Sequence, residues 1–160
     1  MRAIADAAGF DVALVAHYFR NKDSLFADAL ELPLEATRTL SKVLTGPPEH
    51  HGVRLAHAYL TLWEDPKTGP QMQAIMRSAL TNQAALERIQ GLLAAVASAG
   101  DPSDQLERPL NVALAMGSLL GIAVLRYITR VEPIANLDLD ALIVLIGPGV
   151  QAHLDADVNR

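Results

Sequence analysis

The side chains that most often carry enzyme chemistry are sparse and poorly spaced in this sequence. His50, His51 and His57 form its only histidine cluster, and no two of them are three or four residues apart, as two ligands on one helical turn would be. His50 and His57 would lie about 10 Å apart along a helix, too far to share a metal ion. Glu64 and Asp65 are adjacent and would point apart. No phosphate-binding glycine loop or serine-centred elbow is present. We therefore predict no catalysis, no metal site and no cofactor.

Side chains near the amino end are better suited to contact nucleic acid. His17 can donate or accept a hydrogen bond at a base edge or a phosphate, whereas Ala13 and Leu14 offer apolar contact, most usefully to thymine methyl groups. Tyr18 and Lys22 are placed to meet phosphates, Lys22 near the amino end of a following helix. The alternative is that His17 and Tyr18 are solvated surface residues and that Lys22 only caps a helix.

Two short helices joined by a glycine turn would position these side chains. Each has one apolar face, formed by Met1, Ile4, Ala5 and Ala8 in the first and by Val12, Val15 and Phe19 in the second. Gly9 supplies the left-handed position that ends a helix, and Asp11 is a good N-cap for the next. Ala13, Leu14 and His17 then point outward, with Ala16 at the edge. The pattern is typical of a helix-turn-helix, whose second helix enters the DNA major groove, although a plain helical hairpin shares it.

Two segments around this turn closely resemble the DNA-binding domain of the TetR family of bacterial transcriptional regulators. They are Ile4-Ala5-Asp6-Ala7-Ala8-Gly9 and His17-Tyr18-Phe19-Arg20-Asn21-Lys22-Asp23-Ser24-Leu25. The resemblance implies that Arg2 can reach a base or phosphate and that Tyr18 and Lys22 hold the DNA backbone. Family members carry a further helix before this motif, so we expect a segment upstream of Met1. The first helix otherwise lacks an N-cap and has the Met1 ammonium at the positive end of its dipole.

Composition is consistent with a cytoplasmic protein, and although the negative net charge by itself argues against a nucleic-acid partner, its distribution along the chain matters more. The chain has 160 residues, of which 51% are hydrophobic, enough for a core. It has no cysteine, which is consistent with a reducing compartment. Residues 1–22 hold three basic and two acidic residues, whereas the rest holds ten basic and sixteen acidic ones. The net charge of −5 therefore lies away from the predicted DNA surface.

The rest of the sequence predicts helices only, so we expect an all-α fold with a helix-turn-helix head followed by a helical bundle. A third helix is expected to begin near Lys22 and to end or kink at Pro33. Further helices are predicted over about 35–44, 53–63, 71–80, 83–99, 107–130 and 138–153. Pro133 should stop the long one, and Gly147-Pro148-Gly149 should kink the last. We assign residues 1–32 to a truncated helix-turn-helix DNA-binding domain and residues 33–160 to a ligand-binding and dimerisation domain.

The segment Pro109–Leu125 carries no charge and is apolar on nearly every face. It is shorter than the roughly 20 residues that span a bilayer, so we expect no membrane association. A second subunit could cover its outer side, and Gly117 and Gly121, one turn apart, would permit close approach. The last predicted helix is also apolar, so a second subunit would have to cover its outer side as well. We therefore predict a homodimer interface at Gly117, Gly121, Leu142, Ile143 and Ile146; an ordinary monomer core is the alternative.

A ligand pocket inside the bundle is implied by the family resemblance. The candidate lining residues are Tyr59, Trp63, Met72, Met76, Met116 and Leu120. Methionine and aromatic residues at helical spacing are also common in a plain core. The resemblance implies a repressor that binds double-stranded operator DNA as a homodimer and is released when a small-molecule effector shifts the helix beginning at Lys22. The alternative is a dimeric helical ligand sensor or interaction module that has lost DNA binding.

Overall fold

The computed structural model describes residues 2–18, 34–45, 47–79, 83–98 and 108–157, and these form helices and turns with no strand. The helices are α1 (Arg2–Ala8), α2 (Val12–Tyr18), α3 (Leu34–Val43), α4 (His51–Glu64), α5 (Thr68–Ala79), α6 (Gln83–Ala97), α7 (Arg108–Ala123), α8 (Glu132–Ala135) and α9 (Leu139–Leu154). A 3-10 turn, Pro48–His50, precedes α4, and a π-helical segment, Val124–Ile128, extends α7. The all-α prediction is confirmed. The predicted start of a third helix at Lys22 and its end at Pro33 lie outside the described residues.

The turn between α1 and α2 has the geometry that the sequence predicts. Gly9 has a φ of 71°, in the left-handed region that ends a helix at low cost only for glycine. The N–H of Phe10 donates to the carbonyl of Ala5 at 3.0 Å, closing the end of α1. The Asp11 carboxylate accepts from the N–H of Ala13 at 2.7 Å and so caps α2. These local bonds fix the angle at which α2 leaves α1.

Helix α4 lies at the centre of the bundle and packs against α3, α5, α7 and α9. Its buried face includes the residues predicted to point inward, Leu55, Ala56, Tyr59, Leu60 and Trp63. Burial of this apolar face against four other helices is the main source of stability for a helix of this length.

Helices α4 and α9 approach closely because glycine lies on both sides of their crossing. A Cβ atom on Gly52 would lie 2.5 Å from the N of Gln151 and from the O of Gly147. The N–H of Gly52 donates to Oε1 of Gln151 at 2.6 Å, and Nε2 of Gln151 donates to the carbonyl of Pro48 at 2.9 Å. The crossing therefore combines backbone contact with side-chain hydrogen bonds.

Both ends of α9 are capped by side chains. The Asp138 carboxylate accepts from the N–H of Ala141 at 3.1 Å at the start of the helix. At its end, the buried amide of Asn111 in α7 donates to the carbonyls of Leu154 at 3.2 Å and Ala156 at 2.8 Å. Pro148 lies inside α9, which continues through it. The predicted kink at Gly147-Pro148-Gly149 stays a prediction.

The end of α7 differs from the sequence prediction. The helical run passes into the π-helical segment at Val124 and ends at Ile128, and Arg130 has a φ of 52°. Pro133 was predicted to stop this helix, which is wrong: Pro133 lies in the first turn of α8, where its missing N–H costs nothing. By length and composition alone, Pro109–Ile128 could cross a membrane, and 33% of that stretch is buried in the subunit.

Candidate DNA-reading surface, cavity and dimer face

In the helix-turn-helix, one side of α2 is buried and the other side is exposed to solvent. Val15 is buried on the inner side of α2, and Ala5 of α1 is fully buried. Ala13, Leu14 and His17 are all exposed on the outer side, as is Ala16, which was predicted to lie at the edge. The rings of His17 and Tyr18 lie edge to face with centroids 5.6 Å apart. This outer side can therefore meet a duplex without any rearrangement of α1 or α2.

The phosphate-contacting candidates are only partly within the described residues. Arg2 and Tyr18 are exposed at the ends of α1 and α2, where their side chains are free to reach a DNA backbone. Lys22 lies outside the described residues, so its predicted contact stays a prediction.

A cavity of about 100 Å³ lies between α4, α5, α6 and α7. All six residues predicted as candidate ligand contacts line it: Tyr59, Trp63, Met72, Met76, Met116 and Leu120. The remaining lining residues identified by the structure are Ile75, Ile89, Leu92, Leu93, Ala113 and Gly117. The contribution of α6 was not predicted, because the apolar side of this helix has the same periodicity whether it faces a cavity or a filled core. None of the described lining residues carries a charge.

Aromatic side chains form one side of this cavity, and one of them is held in place by stacking on a further ring. Trp63 is 4% exposed, and its indole stacks on the ring of Tyr127 with centroids 5.3 Å apart and planes 10° apart. Tyr59 lies on the other side, with its ring centroid 6.2 Å from that of Trp63 at an interplanar angle of 61°. Burial raises the pKa of Tyr59 above its usual range, and the neighbouring indole of Trp63 offsets part of that rise. Tyr59 therefore stays neutral.

Next to these aromatic rings, several polar groups donate hydrogen bonds to a single carboxylate oxygen. Oε1 of Glu64 accepts from the hydroxyl of Tyr127 at 2.9 Å and from Nε and Nη2 of Arg126 at 3.3 and 3.2 Å. Nη1 of Arg126 donates to the carbonyls of Ile134 and Leu137, both at 2.7 Å. Burial and the bond to Glu64 both raise the pKa of Tyr127. Arg126 thus ties α4, the π-helical segment and α8 together, so it is engaged within the subunit.

The outer faces of α7 and α9 expose a set of apolar and small residues. Val144 and Leu145 of α9 are 67% and 69% exposed, and Leu110 and Leu114 of α7 are also exposed. A Cβ atom on Gly117, Gly121 or Gly149 would meet nothing within 4 Å. We call these exposed residues of the two helices the α7/α9 face: Leu110, Leu114, Gly117, Gly121, Val144, Leu145 and Gly149.

Two residues predicted for a dimer interface lie on the wrong side of α9. Leu142 and Ile143 are 3% and 4% exposed and belong to the subunit's own core, and Ile146 is half-buried. The sequence could not place them, because α9 is apolar on both sides and its hydrophobic periodicity does not distinguish the two. Gly117 and Gly121, predicted for the same interface, do lie on the α7/α9 face.

The described residues contain no group of three or more histidine, aspartate or glutamate side chains placed to hold a metal ion. His50 and His57 are both exposed, and His51 is half-buried at the start of α4. The described residues thus offer two candidate sites, the exposed outer side of α2 and the apolar cavity between α4, α5, α6 and α7.

Comparisons with known proteins agree with this organisation. Residues 1–29 match the family model described as bacterial regulatory proteins, tetR family, and residues 49–154 match the one described as tetracyclin repressor-like, C-terminal domain. The crystal structure of a TetR-family regulator from Streptomyces coelicolor A3 is similar, with a TM-score of 0.70 and 32% sequence identity. The alignment covers 96% of this chain and 81% of that one. The comparison with curated proteins gives no match.

Helix-turn-helix head, helical bundle and sequence matches together define a transcriptional regulator. The chain belongs to the TetR family.

Proposed function

We propose that this protein is a repressor of the cytoplasm that binds operator DNA as a homodimer and leaves it when a small molecule enters the bundle cavity. The observation that carries the proposal is the exposed outer side of α2. Ala13, Leu14 and His17 are available to base edges there, while Val15 anchors the opposite side. A helical hairpin with a purely structural role would have no need to keep this side uncovered.

The α7/α9 face supports a homodimer. Val144 and Leu145 are exposed on α9, and a Cβ atom on Gly117 or Gly121 of α7 would meet nothing within 4 Å, so a second copy could approach these helices closely and bury the exposed apolar side chains. Exposed apolar surface of this extent in a regulator indicates a protein interface. A two-fold dimer would present two copies of α2 about 34–36 Å apart, the spacing of successive major grooves on one side of B-DNA. The operator would then be a palindrome.

Release requires that the effector bind the DNA-competent and released states with different affinity. On α4, Trp63 lines the cavity and stacks on Tyr127 at the end of the helical run that also carries Gly117 and Gly121. A ligand that displaces Trp63 would therefore act on the element that sets the relative position of two subunits. The helix predicted to begin at Lys22 provides a second route from the bundle to the head.

Fluorescence anisotropy with a labelled duplex from the region upstream of the protein's own coding sequence tests the proposal. We expect binding that is tighter than to a scrambled duplex of equal length and that weakens steeply as salt rises from 50 to 200 mM. Equal affinity for both duplexes would overturn operator recognition. A dimer that binds no duplex even at low salt would instead support the dimeric sensor that has lost DNA binding.

A further inference from the structure

The outer side of α2 is almost entirely apolar. Four of its residues are exposed there: Ala13, Leu14, Ala16 and His17. Leu14 is the largest apolar side chain among them and is 47% exposed. Val15 is buried on the opposite side and anchors the helix, so α2 cannot turn to present other residues without exposing this anchor. Of the four outer residues, only His17 has a polar atom in its side chain.

This side therefore lacks the residue types that most often read bases by hydrogen bonds. Arginine or lysine recognises guanine, asparagine or glutamine recognises adenine, and a carboxylate accepts from cytosine. Asp11 precedes the helix, but its carboxylate accepts from the N–H of Ala13 at 2.7 Å and is engaged in the cap of α2. The described part of α2 thus has to obtain most of its sequence preference in another way.

His17 is flanked by two apolar side chains. It follows Ala13 by four residues and Leu14 by three, and residues at these spacings are neighbours on the surface of a helix. The ring of Tyr18 supports the imidazole edge to face, with centroids 5.6 Å apart and planes at 82°. One supported imidazole can contact the edge of one base pair, which leaves the adjacent base pairs to the apolar side chains on either side of it.

The C5-methyl group of thymine is the distinctive apolar group of the major groove, and small apolar side chains recognise it by contact. We propose that α2 selects its operator mainly through thymine methyl groups covered by Leu14 and Ala13, with His17 as the one hydrogen-bonding reader between them. This inference rests on the proposed function in taking α2 as the reading helix of a homodimer. It names the feature of the operator that this helix recognises.

The size of the effect follows from the burial of single methyl groups. Each covered methyl group should contribute about three- to fivefold to the binding constant. A two-fold dimer repeats every contact in the second half-site, so one methyl contact per half-site corresponds to about 10- to 25-fold in total. A loss of this size is readily measured by fluorescence anisotropy.

Replacement of every thymine by uracil tests the proposal with the full, unmodified chain. Uracil lacks the C5-methyl group but keeps the pairing atoms and the phosphates of the duplex. Four labelled duplexes are compared at one fixed salt concentration: the region upstream of the protein's own coding sequence and a scrambled duplex of equal length, each with thymine or with uracil. We expect the upstream duplex to lose about tenfold or more in affinity on uracil substitution, and the scrambled one to change by less than about twofold.

The outcomes separate this inference from the proposed function. If the uracil form of the upstream duplex binds as tightly as the thymine form, and both bind more tightly than the scrambled duplexes, methyl readout is wrong and operator recognition stands. Equal losses in the upstream and scrambled duplexes would also overturn methyl readout, because the methyl groups would then carry no sequence information. If the thymine forms of the two duplexes bind alike, operator recognition fails and methyl readout fails with it.

Leu14→Ala tests the residue that covers most of the methyl surface. Leu14 is exposed and alanine favours helices, so α2 should be kept. Affinity for the thymine form of the upstream duplex should fall by about three- to tenfold, whereas affinity for the uracil form should stay within about twofold. His17→Ala is the control on the same helix and should weaken binding to both forms by a similar factor. The reverse pattern, in which His17→Ala removes the preference for thymine and Leu14→Ala keeps it, would overturn the role of Leu14.

Discussion

The rings of Trp63 and Tyr127 lie nearly parallel, 10° apart, with their centroids 5.3 Å from each other. This stack joins the cavity wall on α4 to the π-helical segment Val124–Ile128 at the end of α7. π-helical segments within α-helices occur frequently at functional sites. The stack thus links the cavity to the carboxyl end of α7, in addition to the α7 residues that line the cavity directly.

Replacement of Tyr127 separates the contribution of the ring from that of the hydroxyl. Tyr127→Phe keeps the stack and loses the bond to Glu64, so we expect a loss of about 0.5–1.5 kcal/mol in the free energy of unfolding. Tyr127→Ala loses the stack as well and should cost about 2–3 kcal/mol. Urea denaturation of both variants measures the difference. Equal losses would mean that the ring contact contributes nothing.

The close crossing of α4 and α9 can be tested at Gly52. A methyl group there would meet the backbone of Gln151 and Gly147 at 2.5 Å, so Gly52→Ala should reduce the free energy of unfolding by about 2–4 kcal/mol. Gly91 in α6 is the matched control, because a Cβ there would meet nothing within 4 Å. Gly91→Ala should stabilise the protein by about 0.5–1 kcal/mol. The same sign for both variants would contradict the described crossing.

If the α7/α9 face forms the dimer interface, a charge at Leu145 should prevent dimerisation. Leu145→Glu should give a folded monomer in sedimentation velocity, because a dimer would bury an unpaired carboxylate at each of two symmetric positions. Leu86 in α6 is also exposed but lies outside this face, so Leu86→Glu should leave the assembly state unchanged. The affinity for operator DNA should fall in Leu145→Glu, because that variant no longer dimerises, and should not change in Leu86→Glu. A Leu145→Glu protein that remains dimeric would place the interface elsewhere.

The predicted backbone contact of Arg2 should appear in the salt dependence of binding. Arg2→Ala should weaken binding to all duplexes alike and reduce the slope of log K against log salt by about 1. Arg77→Ala removes the same charge from an exposed position on α5 in the bundle and should leave the slope unchanged. Fluorescence anisotropy at several salt concentrations measures both. An unchanged slope for Arg2→Ala would show that Arg2 does not reach a phosphate.

Asp65 gives a pH dependence with a defined sign. Its carboxylate accepts from the N–H groups of Thr68 and Lys67 at 3.0 and 2.7 Å, and these bonds hold its pKa below the usual 3.8. The unfolded chain therefore takes up the proton first as pH falls, so this stabilisation is present above about pH 4 and is lost below it. The non-titrating variant Asp65→Ser should be less stable than the natural protein at pH 7, and the difference should shrink towards pH 3. Urea denaturation across this range measures it, and a constant difference would contradict the prediction.

Local patterns in the sequence were enough to predict α1, α2 and the turn between them. The φ of Gly9, the cap at Asp11 and the inward position of Val15 depend on residues within one or two helical turns, so residue type and spacing determine them. The inward face of α4 followed from the same periodicity, whereas a pocket with this candidate lining was implied by the family resemblance.

Relations between distant segments required the tertiary structure. Sequence spacing could not say which side of α9 faces outward, because both sides are apolar; packing against α4 and α7 buries Leu142 and Ile143 and leaves Val144 and Leu145 uncovered. Nor could it pair Glu64 with Arg126, which are 62 residues apart. The stack of Trp63 on Tyr127 likewise arises only when α4 and the end of α7 are brought together. Local propensity acts over a few residues, whereas these contacts depend on how whole helices pack.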